Sequence, residues 1–399
     1  MRGESSELRV GIERGTLLLV LAYVGFVSLG LPDTVLGAAW PAVRAEFGLG
    51  LSTAGAALLL TTAGVVLSSV ASGRLRQRWG NGAVLVSSTL LAALALLANA
   101  AAPSFAFMLA AALAAGLGGG AIDACLNDYV ARHHSARHMN WLHASWGVGA
   151  SLSPAIVSAV LARGASWRVA YALLGGVELL LVLAFWRTRR QWSDDPAVAA
   201  ADSGERAVAA TSGQRRASVL LFYCYGGLES GVGLWASSLL IETRGTSVAL
   251  AGAAVAIYWG ALCAGRFLIG TRADVWGPAR VLRASVWGGL GACAALAVPA
   301  TPVWFVIAAL AALGFALASI YPLAMHDTPR RFGPQLGAQL VGYQVAATSL
   351  GVASLPWLLG AIAGATTLTL LPALLTLLAA GVAGLESWRR AGVRELSRS

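Results

Sequence analysis

Leu117-Gly118-Gly119-Gly120-Ala121-Ile122-Asp123-Ala124-Cys125-Leu126-Asn127-Asp128 puts an acid and, four residues later, an amide into an otherwise apolar run. Four residues make about one helical turn, so Asp123 and Asn127 share a helix face. Gly116 and Gly118 to Gly120 let another helix approach closely. An acid is costly in lipid and is by default a functional candidate there. The competing reading is an acid satisfied by a serine, an asparagine or a cytoplasmic arginine such as Arg132.

The rest of the chain supplies the membrane. The sequence is 57% hydrophobic and only 12% charged, with a mean hydropathy of +0.71. A soluble domain carries roughly 25% charge, so these figures indicate an integral membrane protein. The formal charge is +10, and all 28 basic residues are arginine. On a soluble protein such an excess suggests nucleic acid. Here the arginines sit between apolar runs, where the positive-inside rule accounts for them and no nucleic-acid partner is expected. Cys125, Cys224, Cys263 and Cys293 all fall inside apolar runs without ligand spacing, so no disulfide, metal site or cofactor is expected. The first apolar run is long and lacks a small-residue cleavage site, which argues against a cleavable signal peptide.

Apolar runs fall at about 15–40, 51–72, 82–102, 104–130, 139–162 and 167–187. A charged, small-residue linker covers 188–216, after a polar tail at 1–14. Six more runs follow at about 217–242, 248–270, 279–299, 302–325, 336–361 and 366–386, and a basic tail, 387–399, closes the chain. Each run suits a membrane helix of roughly 20 residues. The expected fold is therefore all-α: twelve transmembrane helices in two six-helix bundles, 15–187 and 217–386. With twelve spans, only Arg44, Arg163, Arg168 and Arg244 fall on one side, and Arg266 lies within a span. The remaining arginines share the side of both tails and the linker. This predicts a multi-pass protein of the cell (inner) membrane with both termini in the cytoplasm.

The halves resemble each other at a nearly constant offset. Asp33 aligns with Glu229 at 196, each with a downstream tryptophan, Trp40 and Trp235. Gly73 and Gly80 align with Gly270 and Gly277 at 197, Trp146 with Tyr343 at 197, and Asp123 with Tyr321 at 198. Such duplication marks transporters that place substrate at the interface between repeats.

With 6+6 spans, a long central linker and the glycine-basic stretches Gly73–Gly80 and Gly270–Gly277, the whole chain resembles the major facilitator superfamily. The first of those stretches lacks the acid usual in the superfamily. Within it, Leu31-Pro32-Asp33, Ile122–Asn127, Gly227-Leu228-Glu229 and Gly265–Gly270 are similar to the fucose/glucose proton-symporter group. That resemblance implies proton coupling at Asp33 and Asp123. Aspartate at 123 replaces the group's usual glutamate, and Ala144 stands where the sugar symporters carry a polar residue, with His143 and Ser145 beside it.

Residue by residue, two readings compete. Asp33 follows Gly30 and Pro32 and is expected in the outer half, either accepting a proton or capping a broken helix near the headgroups. Asp123 is expected in the inner half, on the order of 15–20 Å from Asp33 along the membrane normal, as a separate proton station. Asn127 either touches substrate or joins helices. Asp128 is expected at the interface beside Arg132. Glu229 binds substrate or biases the outer gate. Arg266 partners an acid in the cytoplasmic gate or snorkels to the interface. Glu178 has no counterpart in the second half, and lipid-water contact competes with chemistry there. His143 could relay protons, but the cytoplasmic end of span 5 is near; His326-Asp327 reads the same way. Trp146, Trp235, Trp259, Tyr258, Tyr321 and Tyr343, with Gln344, form an aromatic and amide set that suits a polyol as well as a flat drug.

The expected function is secondary active transport by a monomer: proton-coupled uptake of a sugar or related polyol by alternating access. The alternative is proton-coupled efflux of a drug or metabolite. No enzyme is expected. External loops such as Pro103-Ser104 and Thr301-Pro302 leave no room for a catalytic motif, and no nucleotide-binding loop is present.

Overall fold

Apolar sequence without water must satisfy its backbone internally, and a helix does this within one segment. In the computed structural model, which describes residues 2–49, 53–192 and 211–396, all the regular structure is helical. The centre of the expected linker, 193–210, lies outside those residues. The helices are α1 (Arg2–Phe47), α2 (Ala54–Trp79), α3 (Asn81–Ala100), α4 (Phe105–His133), α5 (Ala136–Ala162), α6 (Trp167–Thr188), α7 (Ser212–Arg244), α8 (Val248–Trp276), α9 (Pro278–Leu296), α10 (Val303–Leu317), α11 (Ile320–Phe332), α12 (Pro334–Ala365) and α13 (Leu371–Leu396). Ten spans among the described residues are long and apolar enough to cross a membrane, with α10 and α11 joined as one of them. The other two long helices, α7 and α9, dilute their apolar content with Glu229 and several glycines, and with Arg280 and Arg283. The protein is a multi-pass membrane protein.

The helices overrun the apolar runs from which they were expected. α1 is helical from Arg2, through Pro32, to Phe47, so Asp33 caps no broken helix. The glycine-basic stretches are not loops. Gly73–Trp79 belongs to α2 and Gly270–Trp276 to α8. Only Gly80 and Gly277 turn the chain, with φ of 80° and 84°, a conformation that penalises a Cβ. α7 starts on a capping box: Thr211 accepts from the backbone N–H of Gln214, whose side chain accepts from that of Thr211.

The chain divides into two compact units. The first is Met1–Val130 with Leu142–Gly204; the second is Ala131–Trp141 with Glu205–Ser399. The turn between α4 and α5 thus belongs to the second unit, where Ser135 donates to Asp274 at 2.7 Å and His326 meets the carbonyl of His134 at 3.1 Å. Burial pushes the His134 imidazole down to about 4.

Within the first unit, α4 is the packing spine. Cβ atoms built on Gly116 and Gly120 would lie 2.0 and 2.5 Å from the Thr61 and Val65 carbonyls of α2, and one on Gly118 would lie 2.6 Å from the Ser88 carbonyl of α3. The glycines admit neighbouring backbones, as the sequence implies. Asp128 is fully buried and pairs with Arg76 of α2 at 2.5 Å. This corrects the expected interfacial position: because Gly73–Trp79 is helical, Arg76 points into the unit. Toward the loop end of α1, Glu46 accepts from Arg168 at 2.7 Å and from Trp167 at 2.6 Å. Those two donors hold its carboxyl below the ordinary carboxylate range.

Candidate functional site

Asp33 stands where α1 and α5 touch backbone to backbone. A Cβ on Gly30 would lie 2.2 Å from the Trp146 carbonyl, and one on Gly149 would lie 1.8 Å from the Val27 carbonyl. That approach lets Trp146 donate its indole N–H to Asp33 Oδ2 at 2.9 Å, while Thr34 donates to the Ala150 carbonyl at 3.0 Å. Asp33 remains exposed. It lines a cavity of about 620 Å³, counting the open mouth, with Thr61, Asn99, Met108, Gly116 and Tyr171. The cavity lies within the first unit. Trp146 therefore holds an acid with the only polar atom of its side chain.

Asp123 sits deeper in the same unit. Asn127 donates Nδ2 to Asp123 Oδ1 at 2.7 Å and to the Asp123 carbonyl at 3.0 Å. His143 Nε2 meets Asn127 Oδ1 at 3.0 Å, and its ring stands edge-on to Phe26, centroids 5.1 Å apart. Asn127 is fully buried and its amide is engaged on both sides. It is a hydrogen-bonding link between α4 and α5.

The expected wide separation of the two acids is also corrected. A Cβ on Gly25 would lie 2.7 Å from Leu126 Cδ1, and one on Gly119 would lie 3.7 Å from Leu29 Cδ2. Asp123 is therefore level with about residue 27 of α1. That is six residues from Asp33, or roughly 9 Å along the axis. Glu178 of α6, buried, accepts from Ser28 of α1 at 3.0 Å, so it faces neither lipid nor water.

The second unit holds the counterpart of Asp33. Glu229 of α7 accepts from Tyr225, one turn back, through a short hydrogen bond, and pairs with Arg266 Nη2 of α8 at 3.4 Å. Tyr258 donates to the Glu229 carbonyl at 2.9 Å. Arg266 is buried rather than snorkelling, and its acid is Glu229, on a neighbouring helix. Tyr225 was missed by the sequence reading, although its spacing of four from Glu229 is the same signal that marks Asp123 and Asn127.

The remaining expected substrate contacts separate into two groups. Trp259 and Tyr343 present exposed rings. Three others are engaged by the protein itself. Tyr321 is buried, with its ring 4.9 Å from that of Phe222 and 6.0 Å from that of Tyr225. Trp235 donates its N–H to the Pro356 carbonyl at 2.8 Å. Gln344 is fully enclosed and bonds to Ser218 at 2.9 Å and to Thr328, tying α7, α11 and α12 together. A buried amide must find such partners, so its role in folding comes first. Among the described residues no cluster of three His, Cys, Asp or Glu could hold a metal.

With the geometry in place, comparisons bear on the reading. Residues 22–356 match the model of the Major Facilitator Superfamily. The "Niacin transporter NiaP" of Acinetobacter baylyi is 32% identical over 123 residues, which is 30% of this chain and 28% of that relative's length. Among solved structures, FucP in the outward conformation superposes with a TM-score of 0.75 at 15% identity, covering 94% of this chain and 99% of that one. The proton:xylose symporter XylE gives 0.74 at 14%, covering 93% and 94%. The human organic anion transporter MFSD10 gives 0.72 at 15%, covering 93% and 99%. At these identities the structural likenesses speak for the fold.

Proposed function

Because the chain belongs to the major facilitator superfamily, we propose that this membrane transporter couples proton movement to uptake of a small polar solute, a sugar or related polyol, by alternating access. On this reading, α7 and α9 join the ten apolar spans to make twelve, arranged as two six-helix bundles with both termini in the cytoplasm. The observation that carries the reading is Asp33: an intramembrane carboxylate, open to a cavity and held by Trp146 at 2.9 Å. A bare carboxylate is disfavoured in a dry, closed site by several kcal/mol. Taking up a proton removes that penalty, so closure of the site is linked to protonation. Asp123, roughly 9 Å away along the helix axis, is the second acid of the same path. The structural neighbours FucP, a fucose:proton symporter, and XylE, a proton:xylose symporter, favour a sugar as the cargo.

One observation favours a second substrate class. Arg266 lies among Tyr225, Tyr258 and Glu229, and a guanidinium beside aromatic rings suits an aromatic monocarboxylate. The niacin transporter relative points the same way. Export in exchange for protons is the alternative direction, since the same acids serve either one.

The test is uptake into proteoliposomes with an imposed pH gradient, using fucose, xylose and nicotinate as probes. Asp33→Asn abolishes accumulation against a gradient while leaving exchange at equilibrium. Undiminished uphill transport by that variant removes the proton role from Asp33. Reversing the pH gradient separates import from export.

A further inference from the structure

Asn127 is oriented by its surroundings. An ionised carboxylate only accepts hydrogen bonds, so the Asn127 NH2 group must face Asp123 Oδ1. The backbone carbonyl of Asp123 accepts from the same nitrogen at 3.0 Å, which opposes a flip of the amide in either charge state of the acid. Oδ1 is then left facing His143, and the imidazole must supply the proton of that bond from Nε2. The chain of donation therefore runs one way, from His143 to Asn127 to Asp123.

We propose that His143 is a positioning residue of the coupling site: through Asn127 it holds an N–H aimed at the Asp123 carboxylate and so sets the pH at which Asp123 takes up its proton. This rests on the reading of Asp123 as a proton-coupling acid. The amide passes polarisation and conducts no proton. Around His143, α4 presents Asn127 backed by Asp123, and α1 presents the edge of Phe26. Along α5 itself, Trp146 lies one turn on and binds Asp33 of α1. Further acids on these elements are Glu178 of α6, bonded to Ser28 of α1, Asp128 of α4, paired with Arg76, and Glu46 near the end of α1, paired with Arg168. His143 is buried, and its Nε2 lies 3.0 Å from Asn127 Oδ1.

The test needs no substrate. Dicyclohexylcarbodiimide modifies protonated carboxyls, so labelling of the Asp123 peptide across pH, read by mass spectrometry on the full chain in lipid nanodiscs, reports when this acid holds its proton. Asp123→Asn gives the background. His143→Phe, which keeps a ring but removes the donor, moves half-labelling of Asp123 to higher pH by about a few tenths of a unit, because the Asn127–Asp123 hydrogen bond stays and only the polarisation that His143 lends it is lost. His143→Gln, which can still donate to Asn127 Oδ1, restores the wild-type midpoint. Thermal unfolding of each variant verifies the fold. Should His143→Phe fail to fold, Asn127→Leu interrupts the same chain and shifts labelling in the same direction. A wild-type midpoint in folded His143→Phe or Asn127→Leu overturns the proposal, as does a shift in His143→Gln equal to that in His143→Phe. A shift as expected, together with proton-driven uptake that survives Asp123→Asn, leaves the positioning role intact and removes the coupling role from Asp123.

Discussion

Replacing Gly149 by alanine tests whether the α1–α5 crossing is what builds the acid site. The added Cβ would lie 1.8 Å from the Val27 carbonyl oxygen, a backbone atom that cannot swing aside. Moving it out to ordinary contact at 3.4 Å parts the two helices by about 1.6 Å. Trp146 is three residues away on the same helix, and its N–H now reaches Asp33 over 2.9 Å. The added separation takes that distance to roughly 4.5 Å, beyond hydrogen bonding. A hydrogen bond to a charged group contributes about 1.5–3 kcal/mol, and overpacking costs about 1–3 kcal/mol more. Gly147→Ala is the control, because a Cβ there meets nothing within 4 Å. Alanine is the better helix former by about 1 kcal/mol, so this variant is neutral or slightly more stable. The assay pairs thermal unfolding in detergent with uphill accumulation of a probe solute taken up by the wild type. Gly149→Ala should melt earlier and lose accumulation, whereas Gly147→Ala should do neither. If Gly149→Ala matches the wild type in both, the crossing does not build the site. If both variants fail alike, the damage comes from the helix and says nothing of the contact.

Other outcomes follow from buried and exposed ion pairs. Arg76→Leu takes the paired guanidinium from the buried Asp128 and lowers stability by about 3–5 kcal/mol, while Arg76→Leu with Asp128→Leu recovers most of the loss; equal melting of the single and double variants would contradict the pairing. Glu46 is held below its ordinary range, so its pairing with Arg168 and Trp167 stabilises above the usual carboxylate value of 4.5 and fades as pH falls through the lower folded value. Glu46→Gln should therefore be less stable at pH 7, by no more than about 1 kcal/mol for so exposed a pair, and should converge with the wild type in acid; a gap that persists there rules out the ionic cause. Gln344→Ala should lower the melting temperature and leave the KM for the transported solute unchanged, and a raised KM at unchanged stability would return Gln344 to the substrate site.

How much of this was legible in the sequence depends on how far apart the partners lie along the chain. Asp123 with Asn127 is a spacing of one turn, and the structure bonds them. The matched Gly80 and Gly277 were visible as a repeat, and both turn the chain at positive φ. Depth was misread because the apolar runs were taken for the helices. α1 continues to Phe47, well past the end of its run, so counting from the edges put Asp33 and Asp123 too far apart. Partners distant in sequence were missed. For Asp128 the sequence offered its neighbour Arg132, and it did not show the pairing with Arg76, 52 residues away. The amide of Gln344 looks the same in sequence whether it faces a cavity or a helix, and the Ser218 that claims it is 126 residues distant. His143 seemed terminal only because the start of span 5 was drawn at the edge of the apolar run, whereas α5 begins at Ala136.

The glycines that opened the chain's reading have a mechanical consequence. Gly116 and Gly120 lock α4 to α2, and Gly118, about 200° around the axis from each, locks it to α3. Gripped from two sides, α4 has no freedom to rotate on its axis, for a turn of even one residue would drive a backbone carbonyl into a Cα. Asp123 therefore cannot be swung toward or away from its partners by twisting its own helix. Whatever motion accompanies transport must carry α2, α3 and α4 together as one stiff body, with the acid fixed in it like a mark on a dial.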